Sequence, residues 1–228
     1  MKRIGIIGAM PEEVAILRDR LGEVKRYHQG GIDIDVGSLD QKEVVLCCCG
    51  MGKASAAAAT QLLITGFRVD MVINSGIAGN MTSALGVGDV VISQTVTYHD
   101  ATLSMLSQSY PFLERFQADE KMVHAAQKAC EELDVHFAVG TIATGDQFIC
   151  ESEVKSRIAK EYAPLCVEME GAAIAHIAMK NDVPFVIIRS MSDDADEGAK
   201  EKLVVKKFDI TEYCQTASSI CEHMIYHL

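Results

Sequence analysis

Val183-Pro184-Phe185-Val186-Ile187-Ile188 runs straight into Arg189-Ser190-Met191-Ser192-Asp193. A short unbroken apolar run rich in β-branched residues reads as a strand buried on both faces, which requires helices on both sides of its sheet. Working outward, residues 171–179 form a small-residue helical pattern, entered from a short strand-like piece at 165–170. The same alternation recurs along the chain. Apolar runs lie at 3–8, 43–49, 69–73, 89–96 and 137–143, and helical patterns at 11–21, 54–64, 119–133, 151–162 and from 211 to the end. Gly30-Gly31 and Gly37-Ser38 punctuate a hairpin-like stretch, and residues 101–117 are the least patterned, as a loop or lid would be. This rhythm predicts an α/β fold of βα units around a largely parallel sheet, with residues 1–228 as one domain.

In such sheets ligands bind beyond the carboxyl ends of strands. Six segments therefore stand out: Ala9-Met10-Pro11-Glu12-Glu13, Gly50-Met51-Gly52, Ser75-Gly76-Ile77-Ala78-Gly79, Gln147-Phe148-Ile149, Glu168-Met169-Glu170 and Arg189 through Asp193. They supply carboxylates, one arginine, glycine corners, methionines and a phenylalanine, which suits a hydroxyl-rich group beside a flat apolar one. Each carboxylate alone has a blander reading. Glu12 and Glu13 fall in the first turn of a helix, where the dipole favours acids. Asp193 could cap a turn, Glu170 could sit at a helix start, and Arg189 could be a counter-ion to any of them. Their shared position is what argues for a site.

The bulk composition narrows the function. Acidic residues outnumber basic ones by 32 to 21 with no Lys/Arg-rich run, so a nucleic-acid partner is not expected. With 49% hydrophobic residues there is ample material for a core. No window approaches the ~18 apolar residues of a membrane span. The apolar opening stops at Met10 and meets Pro11-Glu12-Glu13, so neither a signal peptide nor a membrane partner is expected, and a cytoplasmic location is. The 8 cysteines include no CxxC pair and lie mostly in apolar runs, the pattern of reduced, buried thiols. Gly50-Met51-Gly52-Lys53 has two glycines of a dinucleotide fingerprint but Ser55 where the third belongs, and it fails as a phosphate loop at Cys47 and Ala54. His223 and His227 are spaced for a metal pair without a third ligand nearby in sequence, and Asp193-Asp194-Asp196 is a weak Mg²⁺ candidate. No metal and no cofactor is expected.

Taken together, residues 4–14, Gly50-Met51-Gly52-Lys53, Tyr98-His99-Asp100, Gly145-Asp146-Gln147-Phe148-Ile149, Val167-Glu168-Met169-Glu170-Gly171 and Arg189 through Asp193 resemble the bacterial methylthioadenosine/S-adenosylhomocysteine nucleosidases of the purine nucleoside phosphorylase superfamily. The resemblance implies a three-layer α/β/α fold with a central mixed, partly barrel-like sheet and a homodimer. It also implies hydrolysis of an N-glycosidic bond through an oxocarbenium-like ribose, with a small nucleoside and water as the partners. By the same resemblance, Asp193 is the acid that protonates the purine at N7, with Ser192 orienting it, and Glu13 activates water. Arg189 orients the carboxylates, Glu170 holds the ribose diol, and Met169 lies against the sugar. Phe148 stacks on adenine and the Ile149 main chain reads the purine edge. Ala9, Met10, Met51, Ile77 and Gly79 line the site. An acid that donates near neutral pH must keep its proton there, which burial or a hydrogen bond to the neutral form provides.

The superfamily also contains phosphorylases, whose phosphate is held by an Arg and a Ser. Here Asn74 and Ile77 stand at those positions, and neither can hold a phosphate charge, so hydrolysis is favoured. The chain departs from the family where Ile77 replaces a small hydroxyl residue and where the usual aromatic-containing stretch after Tyr98-His99-Asp100 reads Ala-Thr-Leu-Ser-Met-Leu-Ser-Gln-Ser-Tyr at 101–110. Leu103 and Leu106 are expected as an apolar wall for the 5′-substituent and Phe208 as the lid aromatic. The altered 101–110 segment leaves another nucleoside, such as aminodeoxyfutalosine, as an alternative substrate, and Ile77 together with the altered lid leaves a catalytically idle nucleoside-binding domain as another.

Overall fold

Apolar strands demand partners along both edges and cover on both faces, and the computed structural model supplies both for residues 2–196, 198–199 and 210–228, the residues it describes. In chain order the elements are β1 (Arg3–Gly8), α1 (Pro11–Arg20), β2 (Gly22–Gln29), β3 (Ile32–Leu39), β4 (Lys42–Cys48), α2 (Lys53–Phe67), β5 (Met71–Asn80) and β6 (Val90–Tyr98). There follow α3 (Leu103–Leu106), β7 (Phe116–Gln117), α4 (Glu120–Glu132), β8 (Phe137–Thr144), α5 (Ser152–Tyr162), β9 (Cys166–Glu168), α6 (Gly171–Lys180), β10 (Phe185–Asp193) and a last helix, α7 (Thr211–Tyr226).

The strands form one 10-stranded sheet in the order β10-β6-β8-β9-β5-β1-β4-β3-β2, with β7 on β6. An additional pairing of β10 with β5 closes the first five into a ring. This is the partly barrel-like sheet of the resemblance. It corrects the largely parallel expectation: β1–β4, β1–β5, β5–β10, β6–β8 and β8–β9 are parallel, while β2–β3, β3–β4, β5–β9, β6–β7 and β6–β10 are antiparallel. The strands β2, β3 and β4 return through tight turns without a helical crossover, which is the antiparallel solution.

Sequence and structure differ elsewhere for traceable reasons. Gly30 and Gly31 have φ of +62° and +76°, as a tight two-residue hairpin turn requires, whereas Gly37 and Ser38 lie inside β3 and the next turn falls at Asp40-Gln41. The corners expected at 74–79 and 189–193 are extended strand. There β5 and β10 run side by side in parallel, so their main chains stay paired beyond the apolar runs.

Helix α7 packs on α1, α4, β5 and β10, and α2 packs on α6. The main core joins β1, β4, β5, β6 and β10 to these helices, and a minor one gathers Met81, Ala143, Ile149, Ile158, Tyr162, Val167 and Ala195. All eight cysteines are free, Cys48 and Cys150 half-buried and the others buried. Among the described residues no helix is long and apolar enough to cross a membrane. Glu132 on α4 faces both His223 and His227, with His227 Nε2 2.9 Å from its Oε1, so that histidine pair makes an interhelix contact.

Candidate active site

Strand β1 hands directly to α1 through Ala9-Met10, with Pro11 at the helix start, and this sharp entry folds Glu13 back over its own turn. Its Oε2 accepts from the Ala9 and Met10 N–H groups at 2.6 and 3.0 Å, and its Oε1 accepts from the Ile77 N–H at 3.1 Å. From α7, the Ser218 hydroxyl donates to the Glu13 main-chain carbonyl at 2.9 Å. Glu13 is only 2% exposed. Burial pushes its carboxyl above the ordinary range, against the pull of Arg189 and the three N–H groups. A helix-end ornament would be solvated; this carboxylate is built in.

Asp193 ends β10. Ser192 Oγ donates to its Oδ2 at 2.7 Å and the Ala195 N–H to its Oδ1 at 2.8 Å, so the orienting role expected of Ser192 has a geometric basis. Both side chains are buried yet face the pocket.

Arg189 lies behind this surface, fully buried. One of its terminal nitrogens donates to Glu168, to Asn74 Oδ1 at 2.6 Å and to Glu170 Oε2 at 3.5 Å. Burial works against its charge, but Glu168, Glu170 and Glu13 outweigh that and hold the guanidinium protonated. Arg189 does not line the pocket. Three surrounding carboxylates draw it into the protein interior, against Glu168 and Glu170 rather than against a ligand. Glu170 accepts from the Gly52 N–H at 2.8 Å, and burial pushes its carboxyl up to about 7, with Glu168 adding to the rise and Arg189 opposing it.

The pocket, about 140 Å³, is walled by Ala9, Met10, Glu13, Met51, Ile77, Ala78, Gly79, Phe148, Val167, Glu168, Met169, Glu170, Ser192 and Asp193. Most of the expected lining is thus brought together from the β1–α1 junction and α1, from β5, β9 and the turn after it, from β10, and from the loops after β4 and β8. Phe148 and Met51 stand on the rim, 46% and 66% exposed, as large apolar side chains do when a ligand is meant to cover them. Ile149 turns its side chain into the minor core, so contact with a ligand has to come from its main chain. Leu103 and Leu106 are not in this wall. The short helix α3 packs Leu103 against the core, and Leu106 borders a neighbouring hollow with Tyr98, Ala101, Ala173, His176 and Ile177. Phe208 lies outside the described residues.

Sequence reasoning missed the support. Glu168 binds Arg189, accepts from Thr144 Oγ1, and receives the Glu170 and Gly171 N–H groups at 3.0 and 2.7 Å at the start of α6. Its only signal was its place two residues before Glu170. Asn74 donates to the Ile7 carbonyl at 2.8 Å while accepting from Arg189, which ties β1, β5 and β10 together. Gly76 sits beside Arg189 in the β5–β10 register, and a Cβ there would stand 2.0 Å from Arg189 Nη1 and 2.4 Å from Glu13 Oε1. Gly76→Ala is expected to displace both groups and lower kcat at least about tenfold, with a lower melting temperature. A fully active, equally stable variant would refute that tight packing.

Among the described residues no group of three or more His, Cys, Asp or Glu is arranged to hold a metal ion. The model of the phosphorylase superfamily matches residues 3–225. A 5′-methylthioadenosine/S-adenosylhomocysteine nucleosidase of Geobacillus thermodenitrificans (strain NG80-2) is 44% identical over 201 residues, 86% of this chain and 85% of that protein. The chain belongs to the methylthioadenosine/S-adenosylhomocysteine nucleosidase family of the phosphorylase superfamily.

Solved members of the superfamily share its fold. The Neisseria meningitidis 5′-methylthioadenosine/S-adenosylhomocysteine nucleosidase, in complex with methylthio-immucillin-A, superposes with a TM-score of 0.93 at 34% identity over 100% of both chains. The futalosine hydrolase of Helicobacter pylori strain 26695 gives 0.89 at 30% identity over 100% of this chain and 98% of its own. Asn74 is held between the Ile7 carbonyl and Arg189, and Ile77 presents an apolar side chain to the pocket.

Proposed function

We propose that this chain hydrolyses the N-glycosidic bond of 5′-methylthioadenosine and S-adenosylhomocysteine, releasing adenine and the 5′-thio-substituted ribose. The observation that carries the reading is the convergence of Glu13, Glu170 and Asp193, from three separate elements, on one pocket rimmed by Phe148 and Met51. Family membership and 44% identity to a curated nucleosidase support it. In the mechanism, Asp193 gives its proton to N7 as adenine leaves, and Glu13 takes a proton from the water that attacks the ribose. Each transfer contributes about 10²–10⁴-fold. Glu170 accepts from the ribose hydroxyls, Met169 bears on the sugar, and Phe148 stacks on the base. Arg189 holds Glu170 and Glu168 in place.

The proposal includes a single domain over residues 1–228, a homodimer, a cytoplasmic location and service in methionine salvage. The hollow of about 310 Å³ bordered by Tyr98, Ala101, Leu106 and Ile177 supports a second subunit, against which Leu106 would help to enclose the 5′-substituent.

Incubation with each nucleoside in phosphate-free buffer, following adenine, tests the reading; folded protein that releases none from either removes it. A requirement for phosphate would make it a phosphorylase instead. Hydrolysis of a futalosine-type nucleoside is the second reading, favoured by the Helicobacter pylori futalosine hydrolase match and the altered 101–110 segment, and kcat/KM across the panel separates the two.

The pH profile follows from the carboxyls. Glu170 must be ionised to accept two hydroxyls and Glu13 must be ionised to take a proton, and both are held above their ordinary range, Glu170 at about 7. Activity is therefore expected to fall as pH drops through about 7, since protonation removes the working form. A kcat/KM that stays flat from about pH 8 down to 5 would contradict these roles.

A further inference from the structure

Three motifs near the pocket, Gly50-Met51-Gly52-Lys53, Tyr98-His99-Asp100 and Gly145-Asp146-Gln147-Phe148, carry charged residues to which the bond cleavage assigns no role. They follow or close different strands, and their charged members meet. Lys53 Nζ donates to both carboxylate oxygens of Asp100 at 2.7 Å and lies 3.5 Å from Asp146 Oδ2. The main chain doubles the connection, because the Lys53 N–H donates to Asp146 Oδ1 at 2.8 Å and the Asp146 N–H to Asp100 Oδ2 at 2.9 Å. Burial pushes the Asp100 carboxyl up, but Lys53 and the Asp146 N–H outweigh it and hold it below the usual carboxylate range.

None of the three side chains lines the nucleoside pocket, although their immediate neighbours do. Met51 stands two residues before Lys53 and Phe148 two after Asp146, and both form the exposed rim. Gly52, adjacent to Lys53, donates its N–H to Glu170 Oε1. Beneath the latch the buried His99 ring lies so close to Gly145 that a Cβ there would stand 2.4 Å from it, so the second loop rests directly on the imidazole. Half-exposed ion pairs add little to global stability, but one cation shared by two loops fixes where each loop stands.

We propose that Lys53, Asp100 and Asp146 form a positioning latch that sets the Met51 and Phe148 loops, and the Gly52 N–H on Glu170, for nucleoside binding. The proposal rests on the nucleosidase reading and extends it to residues that never touch the substrate. Its signature is in KM. A rim that is already in place makes contacts common to the ground and transition states, so loosening it weakens binding more than chemistry.

The experiment compares Lys53→Met, Lys53→Arg and Asp146→Asn with the wild type in steady-state adenine release from methylthioadenosine, alongside melting temperatures. Lys53→Met, which keeps the stem and loses the charge, is expected to raise KM about tenfold with kcat changed less than about threefold. Lys53→Arg should restore most of the loss. Asp146→Asn keeps an acceptor for the Lys53 N–H but removes a charge from an exposed side chain, so it serves as the readout where Lys53→Met does not fold, and KM should again rise. High salt should move the wild-type KM in the same direction. Unchanged KM in these variants overturns the latch, as does an Arg variant as impaired as Met with an equal loss of melting temperature, the mark of a merely structural lysine. Wild-type protein that releases no adenine overturns the nucleosidase reading instead.

Discussion

Asp193→Asn is expected to lower kcat for adenine release by about 10²–10⁴-fold while methylthioadenosine still binds. The substitution is nearly isosteric. An Asn carbonyl can keep the Ala195 N–H, and its amide can turn to the Ser192 hydroxyl that now donates to Asp193, so the end of β10 has no reason to move. What disappears is the proton for N7. Without it adenine must leave as an anion, whereas the sugar and base contacts through Glu170, Met169 and Phe148 are untouched. Calorimetric binding together with single-turnover kinetics measures both halves. A variant within about tenfold of wild-type kcat would move the acid elsewhere, and lost binding would make Asp193 a binding group first.

Arg189→Met is expected to have the largest effect on stability, about 3–5 kcal/mol, a large share of an ordinary domain's margin of about 5–15. The guanidinium is fully buried and is the shared counter-charge of Glu168, Glu170 and Glu13. Removing it leaves carboxylates in a desolvated place with backbone N–H groups and the Thr144 hydroxyl as their remaining partners. They would respond by holding protons. Carboxyls raised in the folded state contribute stability below their unfolded pKa of about 4.3 and lose it as pH rises through the folded value. The deficit of Arg189→Met should therefore be greatest near neutral pH and shrink as pH is lowered. Urea unfolding of both proteins at several pH values reads this directly, and a deficit independent of pH would mean that lost packing, not lost charge, is responsible. Arg189→Lys keeps the charge but not the planar donor whose one terminal nitrogen reaches Asn74 and both glutamates, so it should recover stability in part and activity little.

Much of this molecule is legible along the chain because strand and helix identity is a local matter. The apolar runs at 3–8 and 137–143 needed nothing beyond their own residues to be read as strands, and the amphipathic segments between them nothing beyond their period. Glu13, Glu170 and Asp193 were legible for a related reason: all three stand where an apolar run gives way to polar sequence, and in an open sheet that is where ligands bind. Leu103 and Leu106 stand outside the pocket wall of one chain, and nothing along the chain signalled it because a patternless segment carries no information about its own path. That path is set by how α3 finds the core.

The sequence by itself determined which segments become strands, which acids stand at their ends, and that an aromatic and a methionine accompany them. Only the tertiary structure decided that β10 closes back on β5, which brings Arg189 beside Gly76 and makes three carboxylates from β9, α1 and the start of α6 share one buried cation. The reason is physical. Hydrophobic periodicity acts over a few residues, whereas the charge and hydrogen-bond energies that sort Glu168 from Glu170 depend on distances across strands far apart in sequence and on the water excluded between them.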